Sequence, residues 1–236
     1  KGANYVKGFL KNKQSDLQST FGLDNLSTLP PYADITTNDF GVNAHLEQLD
    51  YRLNPRKGYQ VDMTGAIGVR NIRKNSAINP ELYDSLQLKS TQYAADIVLR
   101  MYRPIYGRHV LALMNRSALI HNPQIFENEM YRIGGLKSLR GFDEESIFAT
   151  AYSITNVEYR YITDLNSFLF AFINGAWYTK SGISGTAGGR PIGFGAGMNF
   201  ETRIGIMSIS YALGKGDGQS IQIRSGKVHF GIVNYF

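Results

Sequence analysis

The chain contains no cysteine. That excludes a disulfide scaffold, a thiolate metal site and a thiol nucleophile. Its four histidines stand apart at 45, 109, 121 and 229, so no HExxH-like pair forms. Charged residues make up only 19% of the chain, beside 15 Tyr and 13 Phe, a balance unlike that of a disordered protein. Long hydrophobic runs are missing too. The longest, Phe168 to Ile173, is six residues, against the roughly 20 that a spanning helix needs. There is no initiator Met, and Lys1-Gly2-Ala3-Asn4-Tyr5 does not have the form of a signal peptide. The net charge of +6 is dispersed with no basic run of five, which suits a solvated lumen, turns and loops and gives no reason to expect nucleic acid. No residue set asks for a cofactor or a metal, and neither Ser210 nor His229 sits in a GxSxG context or a Ser-His-acid order. The chain is therefore expected not to be an enzyme.

What is present is a period of two. In Gly193–Arg203, Phe194, Ala196, Met198 and Phe200 fall on one parity; Gly193, Gly195, Gly197, Asn199, Glu201 and Arg203 fall on the other. Tyr59, Val61, Met63, Ile67 and Val69 likewise oppose Gln60, Asp62, Thr64, Gly68 and Arg70, and Val228, Phe230 and Ile232 oppose Lys227, His229 and Gly231. Such alternation marks strands with one apolar and one small or polar face.

Nine strands are predicted: 39–53, 58–72, 91–103, 107–120, 148–162, 167–179, 192–202, 205–213 and 221–236. Most exceed the 5–6 residues common in soluble sheets and match the 9–11 or more of a tilted membrane-spanning strand. Short turns at 54–57, 103–106, 163–166 and 203–204 alternate with longer loops at 73–90, 121–147, 180–191 and 214–220. Aromatic residues recur near strand ends. Together these features predict an all-β, antiparallel transmembrane β-barrel of the outer-membrane type, with short periplasmic turns and long external loops. A soluble sandwich or lipocalin-like barrel would also alternate, but strand length, loop asymmetry and the Gly, Asn, Arg and Glu of the polar parity argue against it.

With the short turns placed on the periplasmic side, strand 39–53 runs inward, so nine strands begin on the wrong side. Bacterial single-chain barrels have even strand numbers with both ends periplasmic. At least one further strand is expected upstream. Residues 1–38 read as loop or short helix with a possible strand at 1–12, and the simplest expectation is a chain lacking its N-terminal part.

The longest loop, 121–147, carries Gly134-Gly135 followed by Leu139-Arg140-Gly141-Phe142. Over roughly residues 39–236 the chain resembles the BamA-type superfamily of outer-membrane assembly and translocation barrels. Members carry a Gly-Gly and then a hydrophobic-Arg-Gly-aromatic tetrad on a long loop folded back into the lumen. Asp50–Gly58 is similar to a recurrent periplasmic hairpin of that family, and His229–Phe236 to its terminal-strand signal. Five strands follow the loop, as in the family's sixteen-stranded barrels, so the resemblance implies the C-terminal portion of such a barrel. It also implies a protein of the bacterial outer membrane, facing a lipopolysaccharide outer leaflet. Its clients would be unfolded outer-membrane proteins, its helpers accessory lipoproteins or periplasmic chaperones. One departure stands out. The family often has an Asp on the second strand after the loop, and here Phe170-Ala171-Phe172-Ile173-Asn174-Gly175 has none.

A lumenal Arg140 needs acceptors, because an unpaired buried guanidinium is costly. Parity points Asn156, Glu158 and Arg160 inward, and Glu158 is the expected bidentate partner of Arg140. Asn174, Glu201 and the loop's own Glu144 or Glu145 are the competing partners. Gly141 is expected where a Cβ would clash, and Phe142 is expected to pack on lumenal glycines. At the seam between first and last strands, Gly226, His229, Gly231 and the terminal Phe236 belong to the last strand. Both Gly226 and Gly231 read as lumenal. In the family's mechanism a client strand adds to that edge by β-augmentation. A protein-secretion transporter and a passive porin-like channel, its loop charges Arg140, Asp143, Glu144 and Glu145 constricting the pore, stand as alternatives.

Overall fold

A computed structural model describes residues 3–17, 28–218, 221 and 223–233. The strands are β1 (Tyr5–Ser15), β2 (Asp34–Leu49), β3 (Gly58–Arg73), β4 (Lys89–Tyr106), β5 (His109–His121), β6 (Tyr131–Ile133), β7 (Ile147–Ala149), β8 (Ala151–Asp164), β9 (Ser167–Gly182), β10 (Gly185–Gly189), β11 (Ile192–Thr202), β12 (Gly205–Lys215) and β13 (Lys227–Val233). The main sheet runs β1-β2-β3-β4-β5-β8-β9-β11-β12-β13, with β10 folded back on β9. Each neighbouring pair in this path is antiparallel, as consecutive hairpins require. Among the described residues β1 pairs only with β2 and β13 only with β12, so the sheet is not closed. No described helix is long and apolar enough to cross a membrane, which is silent about crossing by strands.

The burial pattern is inverted relative to a water-soluble sheet. Large apolar side chains stand exposed on one face: Phe40, Ile67, Ile97, Ile173, Met198 and, at 60% exposure, Phe230. The opposite, concave face buries Glu47, Arg70, Asn156, Glu158, Arg160, Asn174 and His229. The alternating pleat delivers both faces from the same strands. An apolar exterior around a polar interior is what a lipid-facing wall requires, since hydrocarbon offers no hydrogen bonds to side chains.

Among the described residues ten strands make up the main path of the sheet, one more than the nine predicted, beside the short β6, β7 and β10. The further strand expected upstream, with 1–12 as its possible position, is β1 at Tyr5–Ser15, and it places both sheet termini on the short-turn side. β2 also begins at Asp34, five residues before the expected start at 39. There the polarity reverses: Ile35 faces inward and is buried, paired with Ile72. With Ala33, Ile78, Tyr83 and Phe126 these residues form a small dry core at the long-loop end of the sheet. The expected loop 73–90 contains a 3-10 turn at Pro80–Tyr83, and 180–191 is largely the hairpin of β9 and β10. The expected strand 148–162 begins instead at Ala151, because Ile147–Ala149 pairs with Tyr131–Ile133 inside the long loop. The last strand occupies 227–233, with a 3-10 turn at Ile223–Ser225 before it. Phe236 lies outside the described residues.

Candidate functional site

Loop 121–147 folds onto the concave face. Its tetrad lies against five wall strands, β8, β9, β11, β12 and β13, the five expected to follow it. Leu139 is fully buried in an apolar cluster with Ala118, Ile133, Tyr152, Ile154 and Ala176. The Gly135 N–H donates to Leu139 O at 3.0 Å, and the N–H of Gly134 donates to Ser138 Oγ at 2.8 Å, so the Gly-Gly pair folds directly against the tetrad.

Arg140 is buried, and its guanidinium meets Glu158. Its Nη2 donates to Glu158 Oε1 at 2.6 Å and to Asn156 Oδ1 at 2.7 Å. The expected bidentate pair is corrected here. Glu158 gives only one oxygen to Arg140; its Oε2 accepts from Arg160 Nε at 2.9 Å and Nη2 at 2.7 Å. Arg160 stands two residues along the same strand, hence on the same face, and competes for the carboxylate. The cluster is an Arg-Glu-Arg triad carrying one surplus positive charge. Aromatic faces meet that surplus. Arg140 lies 3.6 Å from the Phe172 ring centroid and 5.4 Å from that of Phe170; Arg160 lies 4.6 Å from Phe168 and 5.2 Å from Tyr102. Each such contact contributes about 0.5–2 kcal/mol. Strand β9, which in the resembled family often carries an Asp, thus has Asn174 and offers ring faces to the guanidinium. Arg140 belongs to the loop rather than to a spanning strand; burial lowers its pKa, and the charge of Glu158 opposes that effect.

The other candidate partners are placed differently: Glu144 Oε1 accepts the Leu136 N–H at 2.7 Å, and Glu145 lies 3.8 Å from Arg132. Asn174 donates from Nδ2 to the main-chain oxygen of Arg140 at 3.3 Å, so it holds the loop backbone and not the guanidinium. Glu201 is exposed at the short-turn end of β11. Glu158 is level with Phe172, and Phe172 with Gly195. Glu201 is six positions further along β11, about 20 Å at the rise of a strand, out of reach of Arg140.

Gly141 has φ +95°. A Cβ there would lie 2.7 Å from Gly214 N and from Leu213 C and O, so only glycine lets the loop approach β12 this closely. The facing glycines make room in turn: a Cβ on Gly193 would strike Arg140 O, and one on Gly214 would come 3.1 Å from Phe142. Phe142 therefore packs over a lumenal glycine, as expected.

On the terminal strand, His229 accepts the Gly141 N–H through Nε2 at 3.0 Å, and Lys227 Nζ meets Asp143 Oδ1 at 2.7 Å. Gly231 faces Leu136 of the loop. Gly226 is corrected. It precedes β13 on the parity of Val228 and lies against the ring of Tyr211, an exposed residue of the apolar face, so it is not lumenal. Ser210 stands opposite His229 in register, but His229 Nε2 is occupied by the loop. Sequence reasoning missed the three phenylalanines as lumenal groups. Their one sequence signal is that they share the parity of Asn174.

A search of curated proteins returns no match. The model of the Omp85 superfamily domain matches residues 2–236. That superfamily includes BamA-type assembly proteins and secretion transporters. Together with an all-β sheet whose exposed face is apolar, the match points to an outer-membrane β-barrel. The inward-folded loop, its buried arginine and the strand-rich wall are thus features of a chain that belongs to the Omp85 superfamily.

Proposed function

We propose that this chain inserts and assembles β-barrel proteins in the bacterial outer membrane, as part of the wall of a sixteen-stranded barrel. One observation carries the reading: the sheet ends in two strands, β1 and β13, each with a hydrogen-bonding edge unpaired among the described residues, and the lumenal loop is bonded to one of them. An exposed strand edge is a template for an incoming strand, which gains main-chain hydrogen bonds as it adds. Occupation of the lumen by loop 121–147 favours addition at the edge over passage through the pore. The clients are unfolded outer-membrane proteins, delivered by periplasmic chaperones or accessory lipoproteins, and the wall faces lipid below a lipopolysaccharide leaflet.

The test is reconstitution into liposomes, with an unfolded β-barrel protein added and its folded, protease-resistant form measured over time. Acceleration over empty liposomes supports insertion. A stable single-channel conductance step with no acceleration supports a porin-like channel, and protease protection of an unfolded chain inside the vesicle supports secretion.

A further inference from the structure

The tetrad occupies only the second half of loop 121–147, and the first half has an attachment of its own. Arg70 of β3 is fully buried on the concave face. Its Nε donates to Glu129 Oε1 and its Nη2 to Glu129 Oε2, both at 2.7 Å, the parallel fork that guanidinium and carboxylate form best. Glu129 Oε2 also accepts the Phe126 N–H at 2.9 Å, tying the 3-10 turn Glu127–Glu129 to the same carboxylate. The Arg70 guanidinium lies 5.5 Å from the Phe126 ring centroid, and Phe126 enters the dry core at the long-loop end. Asn128 donates to Ala33 O at 2.7 Å and to Ser15 Oγ at 2.9 Å, and Lys180 pairs with Glu127. This half of the loop therefore grips the outer end of β1, the entry to β2, and β3 and β9. The other half grips β8, β9 and β11–β13, meeting β9 at Phe172 and Asn174 where the first half meets it at Lys180.

Between the halves sit β6 and then Gly134 and Gly135, at φ +123° and +90°, while β7, the partner of β6, follows the tetrad. The two attachments share no residue. Stability alone does not account for a fully buried ion pair, because apolar packing of equal volume is often as stable. A charged pair gives instead a bond of one geometry that opens as a unit when either partner is withdrawn.

We propose that Arg70 is a positioning residue: with Glu129 it forms a second anchor of the lumenal loop, independent of the Arg140-Glu158-Arg160 triad. The loop then spans the concave face between two fixed points, and clearing the lumen requires release at both. The two halves move separately when only one anchor is cut. This rests on reading loop 121–147 as the plug of the proposed machine, but its test does not depend on insertion activity.

Amide hydrogen exchange of the full chain in lipid nanodiscs, read by mass spectrometry, makes the test. Arg70→Gln and Glu129→Gln each raise exchange of amides 124–130 at least tenfold while 138–142 stay protected. The double variant exchanges no faster than the faster single one, and Arg70→Lys restores part of the protection. Arg140→Gln does the reverse, exposing 138–142 and sparing 124–130. The proposal is overturned if Arg70→Gln loosens both halves equally or neither, or if the two single effects multiply in the double variant. A variant that fails to fold shows exchange throughout the wall strands; Arg70→Lys, which keeps the charge, then decides by whether 124–130 alone loosens.

Discussion

Gly141 donates its main-chain N–H to His229 Nε2 at 3.0 Å, so the buried tip of the long loop is bonded directly to the terminal strand of the sheet. The same glycine has no room for a side chain against Leu213 and Gly214. A loop seated on the polar face of the sheet is thereby coupled to an edge strand, and small changes at either residue should be felt at the other. His229→Ala leaves a buried N–H without its acceptor, a loss of about 1–3 kcal/mol. Gly141→Ala is expected to be worse, because it adds strain at positive φ to a backbone clash. Protease cleavage within 136–146 reports both. Cleavage is expected to rise for His229→Ala and further for Gly141→Ala, and equal resistance to wild type would contradict the coupling.

Within the triad the order of damage follows from charge. Glu158→Ala leaves two buried guanidinium groups with no carboxylate between them, whereas Arg140→Ala leaves a satisfied Arg160-Glu158 pair. Breaking a buried pair costs roughly 3–5 kcal/mol. Glu158→Ala should therefore lower the thermal unfolding midpoint more than Arg140→Ala, and Arg140→Ala/Glu158→Ala should not exceed the sum of the two. Arg140→Ala doing more harm than Glu158→Ala would mean that the carboxylate is not the centre of the cluster.

Phe172→Leu keeps most of the apolar volume and removes the ring face nearest Arg140. A loss of about 0.5–2 kcal/mol is expected, measured by urea unfolding in detergent, with a smaller loss for Phe170→Leu, whose ring is farther from the guanidinium. Equal effects would show that the rings act only as filling.

Within the long loop, burial pushes the Tyr131 phenol up to about 12. A tyrosine of ordinary pKa, about 10, titrates first in the unfolded chain. The stabilisation from neutral Tyr131 is complete below pH 10 and fades as pH rises through 12. Amide protection of the 131–133 and 147–149 hairpin should fall across that window in wild type and fall less in Tyr131→Phe. An identical decline in both would contradict the assignment.

Much of this was legible in the residues. The alternation of Phe194, Ala196, Met198 and Phe200 against Gly193, Gly195, Gly197 and Asn199 predicts both faces of β11, because a pleat leaves no other choice. The inward turn of Arg140 and its approach to Glu158 follow from the loop motif together with strand parity. Three things were hidden. The start of β2 was obscured because Ile35 points inward into a dry core, reversing the polarity that marks the rest of the strand. Phe168, Phe170 and Phe172 look lipid-facing until Arg140 and Arg160 are seen lying over them. The role of Glu129 was invisible because its partner Arg70 is 59 residues away, and a short polar stretch such as Glu127-Asn128-Glu129 reads as solvated loop.

The central claim is that client strands add at the edges of this sheet. The chain has no cysteine, so single engineered cysteines give an unambiguous map. Cysteines placed at Val6 of β1, Val228 of β13, Ile97 in mid-wall and Lys137 in the lumenal loop can each be tested for disulfide formation with a cysteine in the terminal strand of an arrested β-barrel client. The account predicts crosslinks at Val6 or Val228, and none at Ile97 or Lys137. Crosslinks at Lys137 with none at either edge would contradict it and point to passage through the lumen.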